Sequence, residues 1–322
     1  MQQEDPPGDS GSFRRLPAFL KGILRGVNQN PPGFRAPIGR LKMRLLSCIA
    51  LLAAMLPTAF AISPEASSTG TRIDFSSLDR SRPLSVSGTL YLPANASAPS
   101  PAVVLVHGTM GIDARGILYR QPLLEEGIAV FEVNFKDGIY HSPMDRPSID
   151  AFLPLAFAAL KELRKLPAID PNRIAIMGFS LGGAIALRTA VDDDRRKWMG
   201  DEKGFAAHAA FYPVAKAFIP VVVHAGGLTG APIIVFYGTA DVYGDGQAVP
   251  KLKTLLQKKF HFNLIAYGYS GAEHAFNLDA PPMAYVDPAA KHWKGYTAYD
   301  PRAAADSLTK VLAFLRQNLA AR

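Results

Sequence analysis

The chain has 322 residues, 48% of them hydrophobic and 19% charged, the profile of a folded globular protein, which excludes wholesale disorder. Its formal charge of +8 is gathered at the front, where residues 1–61 carry 8 Lys/Arg against 3 Asp/Glu. The nearly balanced remainder has no electrostatic footprint for a nucleic acid. The single cysteine, Cys48, also lies in the front segment, so the body can hold no disulfide, cysteine-ligated metal or cysteine nucleophile.

In chain order, residues 1–42 are rich in Pro, Gly, Asn and Arg and show no period of 2 or 3.6. They read as a disordered extension, or as a stretch upstream of a true start at Met43. Met43-Arg44 opens an apolar run at 45–61 that ends in Ala59-Phe60-Ala61. A basic flank, a short apolar segment and small residues at an A-x-A site are the parts of a secretory signal, so 43–61 is expected to direct export. After cleavage no stable membrane association is expected. A membrane anchor through 45–61 is the alternative, though that run is marginal for a span of roughly 20 residues. Residues 62–71 read as a linker and 72–322 as one domain.

That domain begins with two alternating segments, 72–75 and 84–92, expected to pair antiparallel. Short continuous apolar runs follow at 102–106, 128–135, 173–177, 206–211, 233–237 and 263–267, each trailed by a helix-length stretch. Runs of this kind suit strands buried on both faces of a parallel sheet. Helices are expected at 149–165, 184–191, 248–259 and 306–319. The charge-dense segment 192–204 reads as a solvated excursion. The fold class is α/β, a mostly parallel central sheet with helices on both faces.

The chemistry centres on Gly178-Phe179-Ser180-Leu181-Gly182, a G-x-S-x-G pentapeptide between a strand and an Ala-rich helix, the setting of a nucleophile elbow. Gly178 and Gly182 are expected to remove side-chain clashes at that tight turn, raising the Ser180 hydroxyl above the strand ends. A serine needs a base. Of the seven histidines, His274 follows the last strand as this architecture requires, with His292 a weaker alternative on the same excursion. His208, inside a strand, reads as a core histidine. The orienting acid should follow the strand at 233–237, where Asp241 stands first and Asp245 is its rival, set between glycines that suit an ordinary turn.

Oxyanion donors are expected from the backbone N–H of Leu181 and from the loop after 102–106, with Thr109 preferred over Met110. His107 in that loop reads as structural. Met110, Tyr140 and Arg146 are candidate pocket residues, with Arg115 beside them. No P-loop, dinucleotide fingerprint or H-E-x-x-H is present, so neither a cofactor nor a metal is expected.

Several segments in order carry a family resemblance: Val104-Leu105-Val106-His107-Gly108, Asp170-Pro171-Asn172-Arg173, the Ser180 pentapeptide, Phe211-Tyr212-Pro213, Gly238-Thr239-Ala240-Asp241 and His274-Ala275-Phe276. Over residues 84–319 the chain resembles the dienelactone hydrolase family of the α/β-hydrolase superfamily. The resemblance implies the α/β-hydrolase fold without a large cap domain, a Ser180–His274–Asp241 triad, and Leu181 and Thr109 as oxyanion donors. The family's namesake enzymes use a cysteine nucleophile where this chain has serine, which favours a serine esterase acting on small-molecule esters or lactones. A silent binding protein of the same fold, or the same triad acting on amide or carbon–carbon bonds, are the competing readings.

Overall fold

The alternating segments and apolar runs assemble into an eight-stranded sheet of order β1-β2-β4-β3-β5-β6-β7-β8. The structure is a computed structural model, and it describes residues 69–321 apart from 95–98, 137–138, 140–146 and 288–289. The chain divides into two units, Met1–Ile62 and Ser63–Arg322, and every described element lies in the second. The signal-peptide reading of 43–61, the extension 1–42 and the pocket candidates Tyr140 and Arg146 fall outside the described residues.

β1 (Thr71–Ser76) pairs antiparallel with β2 (Ser85–Tyr91), and β2 antiparallel with β4 (Ala129–Asn134). The remaining strands, β3 (Ser100–Val106), β5 (Ile169–Phe179), β6 (His208–Phe211), β7 (Ile233–Gly238) and β8 (Ile265–Tyr269), run parallel with their neighbours from β4 onward. Seven α-helices are described: α1 (Ala114–Glu125), α2 (Leu153–Arg164), α3 (Leu181–Arg188), α4 (Asp192–Met199), α5 (Phe218–His224), α6 (Asp245–Phe260) and α7 (Pro301–Asn318).

The two-residue period of the strands decides which helix covers which face. Val103, Leu105, Val130 and Met177 pack with Tyr119 and Leu123 of α1 and with Val311, Phe314 and Leu315 of α7. Their alternates Val104, Val106, Phe131 and Ile176 face Leu155, Phe157 and Leu160 of α2. In the far half, Ile233 and Val235 meet Val249, Leu252 and Leu256 of α6. A sheet covered on both faces explains why these strands read as unbroken apolar runs. Among the described residues no helix is long and apolar enough to cross a membrane.

The structure corrects the sequence reading in several places. Residues 192–204 are no mere excursion, since Asp192–Met199 forms α4. Asp192, Asp193 and Asp194 occupy its first turn, where the helix dipole favours carboxylates. Arg195 and Arg196 pair with Asp192 at 2.7 and 2.6 Å, and Arg188 with Asp194 at 2.9 Å. The last strand starts at Ile265, and as the sheet edge it is only partly covered: Ile265 and Tyr267 are each 37% exposed. The helix at 149–165 breaks into a 3-10 turn, Ile149–Ala151, and α2, with proline in the first turn of α2. Past His274 the chain forms a two-stranded antiparallel ribbon, β9 (Met283–Val286) and β10 (Lys294–Thr297), which the sequence reading lacked.

Candidate active site

Ser180 sits between β5 and α3 with φ 53° and ψ −113°, a conformation that costs a non-glycine residue free energy and persists only where its surroundings hold it. The flanking glycines show what holds it. A Cβ on Gly178 would lie 2.2 Å from the Gly182 carbonyl oxygen, and one on Gly182 would lie 2.3 Å from that of Val106. Helix and strand thus meet backbone to backbone at this turn. Leu181 is the first residue of α3, so its N–H has no intrahelical acceptor and points out of the positive end of the helix.

The loops after β7 and β8 bring two further side chains to Ser180. His274, 3% exposed, lies with Nε2 2.9 Å from Ser180 Oγ, and its Nδ1 lies 2.8 Å from Asp241 Oδ2. An ionised carboxylate can only accept, so Nδ1 carries the proton and Nε2 is left as the acceptor for the serine hydroxyl. Asp241 is in turn fixed by the Tyr243 N–H, which donates to Oδ1 at 2.8 Å. Two tyrosine rings hold the imidazole: Tyr212 edge-on with centroids 4.8 Å apart, and Tyr243 at 4.5 Å. The Tyr243 hydroxyl donates to Asp287 Oδ2 at 2.7 Å and lies 3.0 Å from the Tyr285 hydroxyl, which ties the β9–β10 ribbon to this face of the histidine.

The loop after β3 passes on the other side of Ser180. A Cβ on Gly108 would lie 3.7 Å from Ser180 Cβ, and Gly111 N–H donates to Gly108 O at 3.0 Å, closing a turn over Thr109 and Met110. Thr109 is half-buried there, while Met110 is 75% exposed. His107 anchors the turn, with Nδ1 2.6 Å from the Gly108 carbonyl oxygen and Nε2 accepting the Phe135 N–H at 3.0 Å. Burial lowers its pKa, which suits the neutral ring that those two bonds require.

The rival residues occupy other positions. Asp245 is not in a loose turn, as its flanking glycines suggested. It opens α6, fully buried, and its carboxylate accepts N–H bonds from Val214 at 3.0 Å and Ala215 at 2.6 Å. Burial, and then the neighbouring Asp241 charge, push its pKa up to about 7 against those donors. It clamps the turn after β6, where Tyr212 and Val214 have φ of 36° and 53°. His292 is exposed on the turn Lys291–Trp293. His208 is fully buried, with Nδ1 3.0 Å from the Ala186 carbonyl oxygen.

Arg115 does not line an open pocket, because it is 5% exposed and fully engaged. Its Nε donates to Asp113 at 2.8 Å, its Nη2 also reaches Asp113, and its Nη1 donates to the Tyr212 hydroxyl at 2.9 Å. Sequence reasoning missed this role, as it missed Tyr212, Tyr243 and Asn277. Tyr212 stood in a motif that carried the family resemblance, but nothing local marks a tyrosine that meets an arginine 97 residues away. Among the described residues no group of three or more His, Cys, Asp or Glu could hold a metal ion.

A serine hydroxyl against an imidazole whose second nitrogen faces a buried carboxylate is an arrangement that can activate the serine for attack on a carbonyl. The fold is shared with solved proteins. A dienelactone hydrolase-like promiscuous phosphotriesterase from metagenomic libraries superposes with a TM-score of 0.57 at 19% identity, over 77% of this chain and 98% of that one. A putative dienelactone hydrolase from Klebsiella pneumoniae gives 0.55 at 19% identity, over 77% and 99%. The quorum-quenching protein AidA of Acinetobacter baumannii is 31% identical over 135 residues, a match that spans 40% of this chain and only 44% of that protein. The model of the dienelactone hydrolase family matches residues 86–319, most of the chain and all of the site, and the chain therefore belongs to that family.

Proposed function

We propose that this chain is an exported serine hydrolase that cleaves carboxylic esters or lactones through an acyl-enzyme. The observation that carries the reading is the hydrogen-bonded row from Asp241 Oδ2 to His274 to Ser180 Oγ, at 2.8 and 2.9 Å. In this reading His274 Nε2 takes the hydroxyl proton as Oγ attacks the carbonyl carbon, and Asp241 stabilises the imidazolium and keeps its orientation. The carbonyl oxygen gains negative charge facing the N–H groups of Leu181 and Thr109, each such donor being worth about 3 kcal/mol in the transition state. The imidazolium then returns its proton to the leaving alkoxide. Water repeats the cycle on the acyl-serine, releasing the acid.

Three further observations bear on the details. Met110 at 75% exposure puts an apolar side chain on the proposed oxyanion turn, where it would meet the substrate. The export component rests on the basic flank and apolar run ending in Ala59-Phe60-Ala61. The likeness to a quorum-quenching protein adds small diffusible signals with an ester or lactone bond to the substrates worth testing. The test is hydrolysis of a chromogenic panel of esters and lactones by the full chain. Turnover of at least one class supports the reading, and a folded protein that hydrolyses none of them overturns it in favour of a silent binding protein.

A further inference from the structure

A buried cation beneath the Ser180 site has no part in the chemistry written above. Arg115 lies at the start of α1, just past the turn that carries Thr109, and its guanidinium packs 5.1 Å from the centroid of the Phe179 ring, the residue before Ser180. A Cβ on Gly108 would come within 3.4 Å of its Nη2. On one side it grips Asp113, the N-cap of α1, which also accepts the Arg115 N–H at 3.0 Å. On the other it donates to the Tyr212 hydroxyl, which donates onward to Asn277 Oδ1. Asn277 Nδ2 then donates to the Tyr119 hydroxyl of α1 at 2.7 Å.

Each partner belongs to a different part of the site. Asp113 and Arg115 follow the oxyanion turn. Tyr212 lies on the strained turn after β6 and presents its ring edge to His274. Asn277 is three residues past His274 in the same loop and is 1% exposed. Burial works against the charge on Arg115, yet the Tyr212 and Asp113 partners hold its pKa above the ordinary guanidinium value. Burial likewise pushes the Tyr212 hydroxyl up to about 12, so it stays a neutral group able to accept and donate at once.

We propose that Arg115, acting through Tyr212 and Asn277, is a positioning residue that fixes the turn bearing Thr109 and the loop bearing His274 relative to Ser180. The proposal rests on the serine-hydrolase reading. A buried ion is a poor way to gain stability alone, since apolar replacements of such groups are often neutral or stabilising. What a guanidinium offers is a planar fork whose donors are fixed in direction. Here one edge is spent on the loop that supplies an oxyanion donor and one donor on the relay to the histidine loop. Misplacement of reacting groups by about 1 Å can cost about a hundredfold in rate.

The experiment compares full-chain Tyr212→Phe and Arg115→Lys with the wild type and Ser180→Ala, measuring kcat and KM on one chromogenic ester alongside thermal unfolding. Tyr212→Phe keeps the ring against His274 and removes only the relay hydroxyl. Arg115→Lys keeps the charge but cannot serve Asp113 and Tyr212 together. Each is expected to lower kcat by about 10- to 100-fold with KM changed less than about threefold. The double variant should fall little below the worse single one, because the pair acts as a unit. Arg120→Met, which breaks the Arg120–Glu132 pair (2.9 Å) on the same helix, is the comparator: it should lower stability and leave kcat near wild type. If Tyr212→Phe fails to fold, Arg115→Lys decides alone. Wild-type kcat in the folded variants, or an equal loss in Arg120→Met, overturns the proposal while leaving Ser180 dependence intact. A wild type whose turnover survives Ser180→Ala instead removes the serine-hydrolase reading, and this proposal with it.

Discussion

Two aspartates four residues apart end up in opposite roles because of what each carboxylate faces. Asp241 meets His274 Nδ1 and the Tyr243 N–H, whereas Asp245 meets two backbone N–H groups of the turn after β6. Asp241→Asn should therefore cut turnover by about three to four orders of magnitude, since an amide can favour the wrong imidazole tautomer. Asp245→Asn should cost about tenfold or less in turnover but about 1–3 kcal/mol in stability, because its NH2 group must face an N–H donor. Side-by-side kinetics and denaturant titrations check both, and the reverse ranking would move the orienting role to Asp245. His208 gives a pH test of the core. Burial lowers its pKa to about 4, so between pH 4 and 6.5 the unfolded chain binds the extra proton. Its share of stability is complete above pH 6.5 and drains as pH falls below it, at up to about 1.4 kcal/mol per pH unit. Asp245, raised to about 7, has the opposite slope between pH 3.8 and 7, so the clean comparison is wild type against His208→Asn, which retains a donor for Ala186 O. The stability difference between them should shrink as pH drops from 6.5 towards 4, and a difference constant across that range would contradict the burial argument.

Between strand and helix, the elements whose signal is local were legible in the sequence. Apolar runs at 102–106, 173–177 and 233–237 became β3, β5 and β7 because a strand covered on both faces tolerates no polar alternate. The Ser180 turn was legible for a similar reason, its glycines being the cause of the close contact between β5 and α3. Gly178→Ala should accordingly destabilise the fold by several kcal/mol, with a methyl forced to about the 2.2 Å approach of a backbone oxygen. Gly127→Ala, whose Cβ would meet nothing within 4 Å, should cost only the strain of its positive φ; equal losses measured by thermal unfolding would contradict this account of the elbow. What was illegible has a physical reason as well. Helix α4 was hidden because a run of like charges followed by opposite ones looks the same whether it is solvated or capping a helix dipole. The β9–β10 ribbon gives little apolar alternation, since Met283, Val286 and Lys294 are exposed. The relay of Arg115, Tyr212 and Asn277 joins residues far apart in sequence, and long-range polar pairing leaves no local pattern.

Across the whole molecule, a parallel sheet closed by helices leaves its strand ends free, and the loops leaving β3, β5, β7 and β8 converge there with Thr109, Ser180, Asp241 and His274. The core holds this convergence rigid, with helices α1 and α7 on one face and α2, α3 and α6 on the other. Beyond the domain, export from the A-x-A site would leave a mature chain beginning at Ile62. N-terminal sequencing of protein recovered outside the cytoplasm checks that, and a membrane-retained chain starting at Met1 or Met43 would favour the anchor. The central claim is that Ser180 is the nucleophile, and the most direct measurement is mass spectrometry of the full chain after reaction with an aryl phosphonate. The expected result is one phosphonyl adduct on the peptide containing Ser180, loss of activity in step with its formation, and no adduct in Ser180→Ala. An active preparation that forms no adduct, or forms it on another residue, would contradict the account.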